Sequence, residues 1–568
     1  MQFPTLKKCS PGSKKKSSPR EIFLADFETT TTPDDCRVWG WGIVPVREDV
    51  MPADVEMGTT IDLFVRHLCR QDTIVYFHNL AFDGSFILDH ILRHGYVYVE
   101  EYPKRGEFEC LISNTGKFYS IKVRWKSGGS TEFRDSLKKL PMSVRGIAKA
   151  FKLPLSKLEI DYDAPRSPTH VLTDEERDYI AADVVIVARA LALSLNQGMK
   201  KLTVGADSLA EYKRLVGDKM FTRTFPVLAE AMDADIRKAY RGGWTYCDPR
   251  AQGRIVGPGA VYDVNSLYPS VMAYELLPYG VPIWFDGAPS PTEDYPLFIV
   301  SITFLAKLKP GHLPCIQIKG NSMFGSTEYL SEVNDATTLS VSNVDLEMWE
   351  KHYDLDILAY NGGWAFKGAY GFFDEYIEKW SAIKANSEGG LRAIAKLHLN
   401  SLYGKFATNP NVTGKFPELQ NNVLTLTLGP TETRDPVYTA MGVFITAYAR
   451  RVTLTAAQAN YDHFAYADTD SIHLLTPASP VGVTVDANAL GAWKREYYFQ
   501  GALFWRAKSY SEKEFDGTVH THIAGLPESV AREATFDDYF TGKIFHGKLL
   551  PRRVPGGIVL AETTFTLK

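Results

Sequence analysis

Tyr466-Ala467-Asp468-Thr469-Asp470 puts two carboxylates two residues apart. A largely apolar run, His463–Ala467, leads in, and Ser471–Leu475 leads out. Two short runs bounded by polar residues predict a β-hairpin. At its tip Asp468 and Asp470 would share one face of the sheet. Carboxylates that close repel unless a cation lies between them. Hard divalent cations, Mg²⁺ above all, take carboxylate oxygens together with substrate phosphates. A polar turn would have the same composition, so this stretch alone decides nothing. A second stretch adds weight. Ala260-Val261-Tyr262 reads as a buried strand, followed by Asp263-Val264-Asn265-Ser266-Leu267-Tyr268-Pro269. An Asp leaving a strand ahead of a turn and an apolar helix start is well placed to face a ligand.

A separate carboxylate set lies near the N-terminus. Ile22–Thr30 reads as a strand with Asp26 and Glu28 on one face. The apolar run Ile74–Phe77 precedes His78-Asn79-Leu80-Ala81-Phe82-Asp83-Gly84. Thr173 and Glu176 form a capping box that opens a helix. On that helix Tyr179 and Asp183 are four apart and share a face. Asp26, Glu28, Asp83 and Asp183 could hold two divalent ions. Such a pair activates a water and stabilises the leaving oxygen of an in-line phosphoryl displacement.

With Lys396-Leu397-His398-Leu399-Asn400-Ser401-Leu402-Tyr403-Gly404-Lys405-Phe406, the stretches around Asp263 and Asp470 resemble motifs A, B and C of the family B DNA polymerases. The wording is most similar to the protein-primed branch, as in small Bacillus phages. The N-terminal stretches resemble the three motifs of a proofreading 3′–5′ exonuclease, in which Tyr179 would orient the water. The resemblance implies an α+β, multidomain fold. A ribonuclease H-like exonuclease domain would precede palm, fingers and thumb, with two terminal-protein-region insertions. Asp263 and Asp470 would lie on adjacent strands of an antiparallel palm. Two Mg²⁺ ions would serve each site, with Mn²⁺ able to substitute. In the palm they would be held by Asp263, Asp470 and the Val264 carbonyl, with Asp468 nearby.

Phe372–Ala385 and Leu391–Tyr403 read as helices joined by Asn386–Gly390. Arg392, Lys396, Asn400 and Tyr403 recur at i, i+4, i+8 and i+11, one continuous face. That face suits an incoming dNTP. Arg392 and Lys396, with Lys384, would clamp its phosphates, and Tyr403 would stack on the nascent base pair. A solvated basic stripe is the competing reading; Asn-Ser-Leu-Tyr-Gly beside it favours the nucleotide. Tyr268 would lie under the sugar and exclude a 2′-OH. The resemblance implies Thr29, His78, Asn79, Phe82, Ser136, Leu137, Lys157 and Tyr162 as binders of a single-stranded 3′ end. It also implies Tyr240, Arg241, Gly242 and Gly243 as a template loop, Thr446 and Arg450 as a primer or template face, and Lys508 and Tyr510 as holders of the primer terminus.

The 568 residues suggest three or four domains. The chain is 45% hydrophobic and 12% aromatic, with net charge −4, so no overall basic field announces a nucleic-acid partner. Six Cys without a C-x-x-C pair argue against a disulfide framework or a structural zinc. No apolar run is long enough for a membrane span, and no signal-peptide core or internal repeat is visible. The expected division is 1–20 basic disordered tail, 21–203 exonuclease, 204–274 palm, 275–371 first insertion, 372–406 fingers, 407–439 second insertion, 440–539 palm and 540–568 thumb. Within the first insertion, Leu313–Lys319 reads as a short β-like run. In the thumb, Lys543, His546, Lys548, Arg552 and Arg553 would form a basic face on the duplex.

The expected partners are primer-template DNA, single-stranded DNA, dNTPs and a terminal protein. The chain would act as a monomer or as a heterodimer with that protein, in a bacterial host's cytoplasm. Three alternatives compete: an RNA-primed family B polymerase, a catalytically silent replication scaffold, and a dedicated exonuclease. The two insertions oppose the first, the full set of carboxylates opposes the second, and the stretches resembling motifs A to C oppose the third.

Overall fold

The structure, a computed structural model, describes residues 20–318 and 329–568. All but one residue of the basic N-terminal stretch, and Lys319, lie outside the described residues. The first layer is an eight-stranded mixed sheet drawn from residues 21–135. Its centre is Glu21–Thr29, parallel to Asp72–Phe77, which in turn runs parallel to Ser130–Asp135. Strand alternation sorts the two faces. Ala25 and Phe27 pack with Phe86 and Ile91 of the helix Leu80–Arg93. Leu24 packs instead with Val184 and Val187 of the helix Asp174–Asn196. Asp26 and Glu28 share Leu24's parity and so point toward the helix that carries Tyr179 and Asp183. The Thr173–Glu176 capping box that starts this helix forms in both directions.

The second sheet is antiparallel. Its order is Val519–Ile523, Ser509–Glu514, Trp493–Arg506, Gly259–Val264, Ser471–Leu474, Phe464–Asp468 and Thr245–Cys247. Behind it runs the helix Thr439–Ala459, buried along most of its length. The expected 464–475 hairpin is present, because Phe464, Tyr466, Ile472 and Leu474 are all buried. Two helices, Asp374–Asn386 and Gly389–Ser401, stand beside the sheet, with Tyr376 and Trp380 as their buried anchors.

Residues 277–369 form a separate four-stranded sheet carrying the helix Asn343–His352. Leu313–Ile318 is not one of its strands. Residues 313–316 are instead buried: the Pro314 carbonyl accepts from Trp244 Nε1 at 3.0 Å, and Tyr353's hydroxyl accepts from the amides of Cys315 and Ile316. Two hairpins complete the chain, Asn411–Gln420 with Val423–Thr433 and Ile544–Val554 with Gly557–Thr566. Both are seated on the N-terminal domain. Phe416 stacks on Tyr98 with centroids 5.9 Å apart, and Leu424 enters that domain's core. From the last hairpin Val554, Ile558 and Val559 join the same core. Among the described residues the five cysteines are all free, and no helix is long and apolar enough to cross a membrane.

Candidate active sites

In the central sheet Asp263 lies within the strand Gly259–Val264, in register with Ser471 on one side and Lys494 on the other. Asp470 is not on the neighbouring strand but in the turn just before it. Thr469 has φ +61°, so period-two alternation stops at Asp468. The turn is fixed from three sides: the Val264 amide donates to the Asp470 carbonyl at 2.8 Å, Thr469 N to Trp244 O at 2.8 Å, and Thr453 Oγ1 to Thr469 O at 2.6 Å. Asp468 is tied off separately. Its Oδ1 accepts from Lys508 Nζ at 2.6 Å and from Thr245 Oγ1 at 3.0 Å. Burial, then the charge of Asp470, pushes the Asp263 carboxyl up to about 7. Burial and Asp468 raise Asp470 as well, opposed by Lys508 and Lys396. Two part-buried carboxyls that repel each other form a donor set suited to a hard divalent ion.

Cations surround this pair. Lys396 and Lys494 both act on Asp263. Lys384 donates to Ser266 Oγ at 3.1 Å and is lowered by burial and by Arg392, Lys396 and Lys494. Arg392 donates to the Lys384 carbonyl. Arg392, Lys396 and Asn400 are exposed on one helix face, as expected. The helix does not run on to Tyr403: it stops at Ser401, and a short turn of helix begins at Tyr403. Leu402 keeps helical dihedrals, so the face bends without being lost. Tyr403 stacks on Tyr268, with centroids 3.8 Å apart and planes 15° from parallel.

In the N-terminal domain, burial and then Asp183 raise Asp26 to about 7. Burial and Asp26 drive Glu28 and Asp83 well above the usual carboxylate range. Asp83 Oδ1 accepts from the Phe27 amide at 3.2 Å, which joins helix to strand. Lys157 donates to Asp183 Oδ2 at 2.6 Å, while Asp183 Oδ1 is buried without a partner. That orphaned oxygen among mutually repelling acids again fits divalent cations. Tyr179 is buried, its hydroxyl bonded to that of the exposed Tyr162. Burial and Glu28 push Tyr179 up, so it stays protonated and able to donate.

Residues 66–171 and 164–489 match the family described as DNA polymerase type B, organellar and viral. The DNA polymerase of Bacillus phage phi29 is 42% identical over 578 residues, covering 97% of this chain and all of that one. Solved structures of phi29 DNA polymerase also match at 41% identity, covering 97% of this chain and all of theirs. The complex with primer-template DNA has a TM-score of 0.92, and the complex with single-stranded DNA 0.90. The chain belongs to the family B DNA polymerases. Its fold is accordingly the expected one, an exonuclease domain followed by palm, fingers and thumb.

The polymerase turns several expected DNA contacts inward. Thr446 is buried, its hydroxyl spent on the carbonyls of Gly442 and Val443 in its own helix. Arg450 is buried in a bidentate pair with Asp345 and also donates to the carbonyls of Arg241 and Gly242. Arg241 is buried too, donating to Ala239 and Ser340 carbonyls, and burial lowers it to about 10. Arg450 and Arg241 hold the 240–243 loop, and none of the three presents a surface. A Cβ on Gly243 would meet Thr469 Cγ2 at 2.6 Å, so this glycine admits the palm hairpin; one on Gly242 would meet nothing within 4 Å. Tyr240 is half-buried.

Near the N-terminal carboxylates, both His78 ring nitrogens are engaged, with Ser136 Oγ at 3.0 Å and the Met142 carbonyl at 2.8 Å. Ser136 is buried and also donates to Phe77 O. Asp135 anchors the amides of Asn79 and Leu137. Asn79 is exposed, Thr29 half-buried, and Phe82 packs on Phe86 with centroids 5.7 Å apart. Tyr510 packs against Tyr466 at 5.0 Å, and Lys508 N donates to the Tyr466 hydroxyl. In the C-terminal hairpin Arg552 and His546 are exposed, whereas burial lowers Arg553. Sequence reading missed Lys494, Thr245 and Asp345. Each acts through a partner at least 105 residues away, and none belongs to a local motif.

Proposed function

We propose that this DNA polymerase initiates on a terminal protein, copies a linear phage or plasmid genome with strand displacement, and proofreads with a 3′–5′ exonuclease. The observation that carries the reading is the pair of separate carboxylate sites, the palm one ringed by cations and the N-terminal one enclosed. Mg²⁺ is the proposed ion at both, held by Asp263, Asp470 and the Val264 carbonyl in the palm and by Asp26, Glu28, Asp83 and Asp183 in the exonuclease. It would supply charge neutralisation and a lowered pKa for the attacking hydroxyl or water.

The residues supply the rest. Lys384, Arg392 and Lys396 bind the triphosphate through charge-assisted contacts. The Tyr268–Tyr403 stack forms a floor for the sugar and base and leaves no room for a 2′-OH. Lys508, anchored on Asp468, and Tyr510 hold the primer end. In the N-terminal site Tyr179 donates to the attacking water, and Lys157 balances the acids. Thr29, Asn79, Phe82, Leu137 and Tyr162 line the approach of a single strand, with His78 and Ser136 bracing them from behind. The solved phi29 relatives with primer-template and single-stranded DNA support both modes of binding.

The proposed domains are the exonuclease at 21–203, the palm at 204–274 and 440–539, the fingers at 372–406 and the thumb at 540–568. The 277–369 sheet would receive the terminal protein. The hairpins at 411–433 and 544–566, both seated on the exonuclease domain, would close around the duplex. The host cytoplasm is the proposed site of action.

The test is extension of a primer on a single-stranded circle with Mg²⁺ and dNTPs and no helper proteins. Products far longer than one circle are expected. A stop after one lap would remove strand displacement. Primer shortening alone would leave only the exonuclease. Initiation with a cognate terminal protein, and its failure with RNA primers alone, tests the priming mode.

A further inference from the structure

Away from both catalytic sites, three metal-ligating side chains converge on the exonuclease domain's surface. Asp62 lies in the first turn of the helix Ile61–Leu68. His90 and His94 end the helix Leu80–Arg93, four residues apart and so on one face. Their rings stack with centroids 4.1 Å apart. One ligand atom from each of the three residues lies within 4.8 Å of the other two. Among the described residues this is the one such trio of His, Cys, Asp or Glu. In the catalytic sites, by contrast, Lys157 and Lys508 hold oxygens of Asp183 and Asp468.

The imidazoles are prepared for a metal. His94 Nδ1 lies 2.8 Å from the His90 carbonyl. A carbonyl only accepts, so Nδ1 carries the hydrogen and Nε2 keeps its lone pair outward. A backbone carbonyl orienting a ligand histidine in this way is the usual second layer of a metal site. Asp89, adjacent to His90, is already paired with Arg93 and does not compete.

We propose that Asp62, His90 and His94 form a transition-metal site, Zn²⁺ first, completed by water. Two imidazoles and one carboxylate suit zinc and its borderline neighbours rather than Mg²⁺, which favours oxygen alone. Ligands of a tetrahedral zinc at about 2.0–2.1 Å lie roughly 3.4 Å apart. Asp62 is exposed and free to rotate inward to that spacing. The site would clip the two helices together. Asp83 is on the same helix as His90, seven residues and about 10 Å earlier. An occupied clip would therefore stiffen the element that presents Asp83 without touching the reacting atoms.

The experiment uses the full chain, stripped with chelator and titrated with Zn²⁺ alone while excess Mg²⁺ fills the all-oxygen sites. About one Zn²⁺ per chain should be retained, with a rise in melting temperature. His94→Ala, an exposed change, and Asp62→Asn should each remove both effects and leave primer extension unchanged. Co²⁺ in place of Zn²⁺ should give a visible absorption band that His94→Ala abolishes. The proposal is overturned if Mg²⁺ displaces all the zinc, or if the folded His94→Ala and His90→Gln proteins bind it as the unaltered chain does.

Discussion

In the exonuclease domain four carboxylates, Asp26, Glu28, Asp83 and Asp183, face one ammonium, Lys157. In the palm Asp263, Asp468 and Asp470, with Glu496 beside them, are met by Lys396, Lys494 and Lys508, and Lys384 and Arg392 stand next to these cations. Cleaving a phosphodiester with water brings one phosphate to the metal-binding acids, so a surplus of negative charge serves to gather cations. Adding a nucleotide brings a triphosphate, and a surplus of positive charge is needed beside the acids. On the proposed function, the same two-metal chemistry would be housed in opposite electrostatic settings, each matched to the charge its substrate brings.

The largest effects should come from the acids themselves. Asp470→Ala should lower synthesis by on the order of a thousandfold or more and spare degradation, while Asp26→Ala with Asp83→Ala should do the reverse. Primer extension and single-strand degradation assays read both, and loss of both activities in either variant would end the case for independent sites. Next come the cations. Lys396→Ala should raise KM for dNTPs by roughly 10- to 100-fold through a lost charge-assisted contact. Lys157→Ala should slow degradation with no change in that KM. Equal effects of Lys396→Ala on both activities would show that the palm cations serve the fold rather than the triphosphate.

A smaller effect is expected at the aromatic floor. Tyr268→Val removes the ring that stacks on Tyr403 and should relax discrimination against ribonucleotides by about tenfold or more, measured as the ratio of kcat/KM for dNTP and rNTP. The smallest concerns pH. Asp26 and Asp263 are raised in the folded chain to about 7. The native state therefore binds more protons than the unfolded one between about pH 4 and 7, and stability falls as pH rises through that window. Without divalent metal the melting temperature should be lower at pH 7.5 than at pH 5. Mg²⁺ should remove that difference, because it binds the ionised carboxylates. A drop of equal size with and without Mg²⁺ would show that these carboxyls are not its ligands.

Legibility in the sequence followed locality. The 464–475 hairpin, the strand carrying Asp26 and Glu28, the capping box at Thr173 and the exposed Arg392–Asn400 face were all readable, because each depends on residues within one turn or one strand. Arg450 was misread because its fate is set by Asp345, on a helix of the inserted sheet. Gly243 was assigned to a template loop by resemblance, whereas its close neighbour is Thr469, more than two hundred residues away. Leu313–Ile318 has strand composition and lacks a partner strand, which no local pattern could reveal. Lys494 faces Asp263 only through strand register.

The seat of the last hairpin has a consequence for how this chain is made. The thiol of Cys36 donates to the Ile558 carbonyl at 3.6 Å across 522 residues, and the Gly557 position, where an added Cβ would meet Phe86 at 2.4 Å, is pressed against the same core. The N-terminal domain therefore cannot finish its own interior until residues 554–559 have been made. Until then the patch that receives Val554, Ile558 and Val559 stays open. Contacts of such separation form late and leave apolar surface uncovered in the meantime. A fragment ending near residue 203 should aggregate where the 568-residue chain does not, and adding residues 540–568 in trans should rescue part of its solubility.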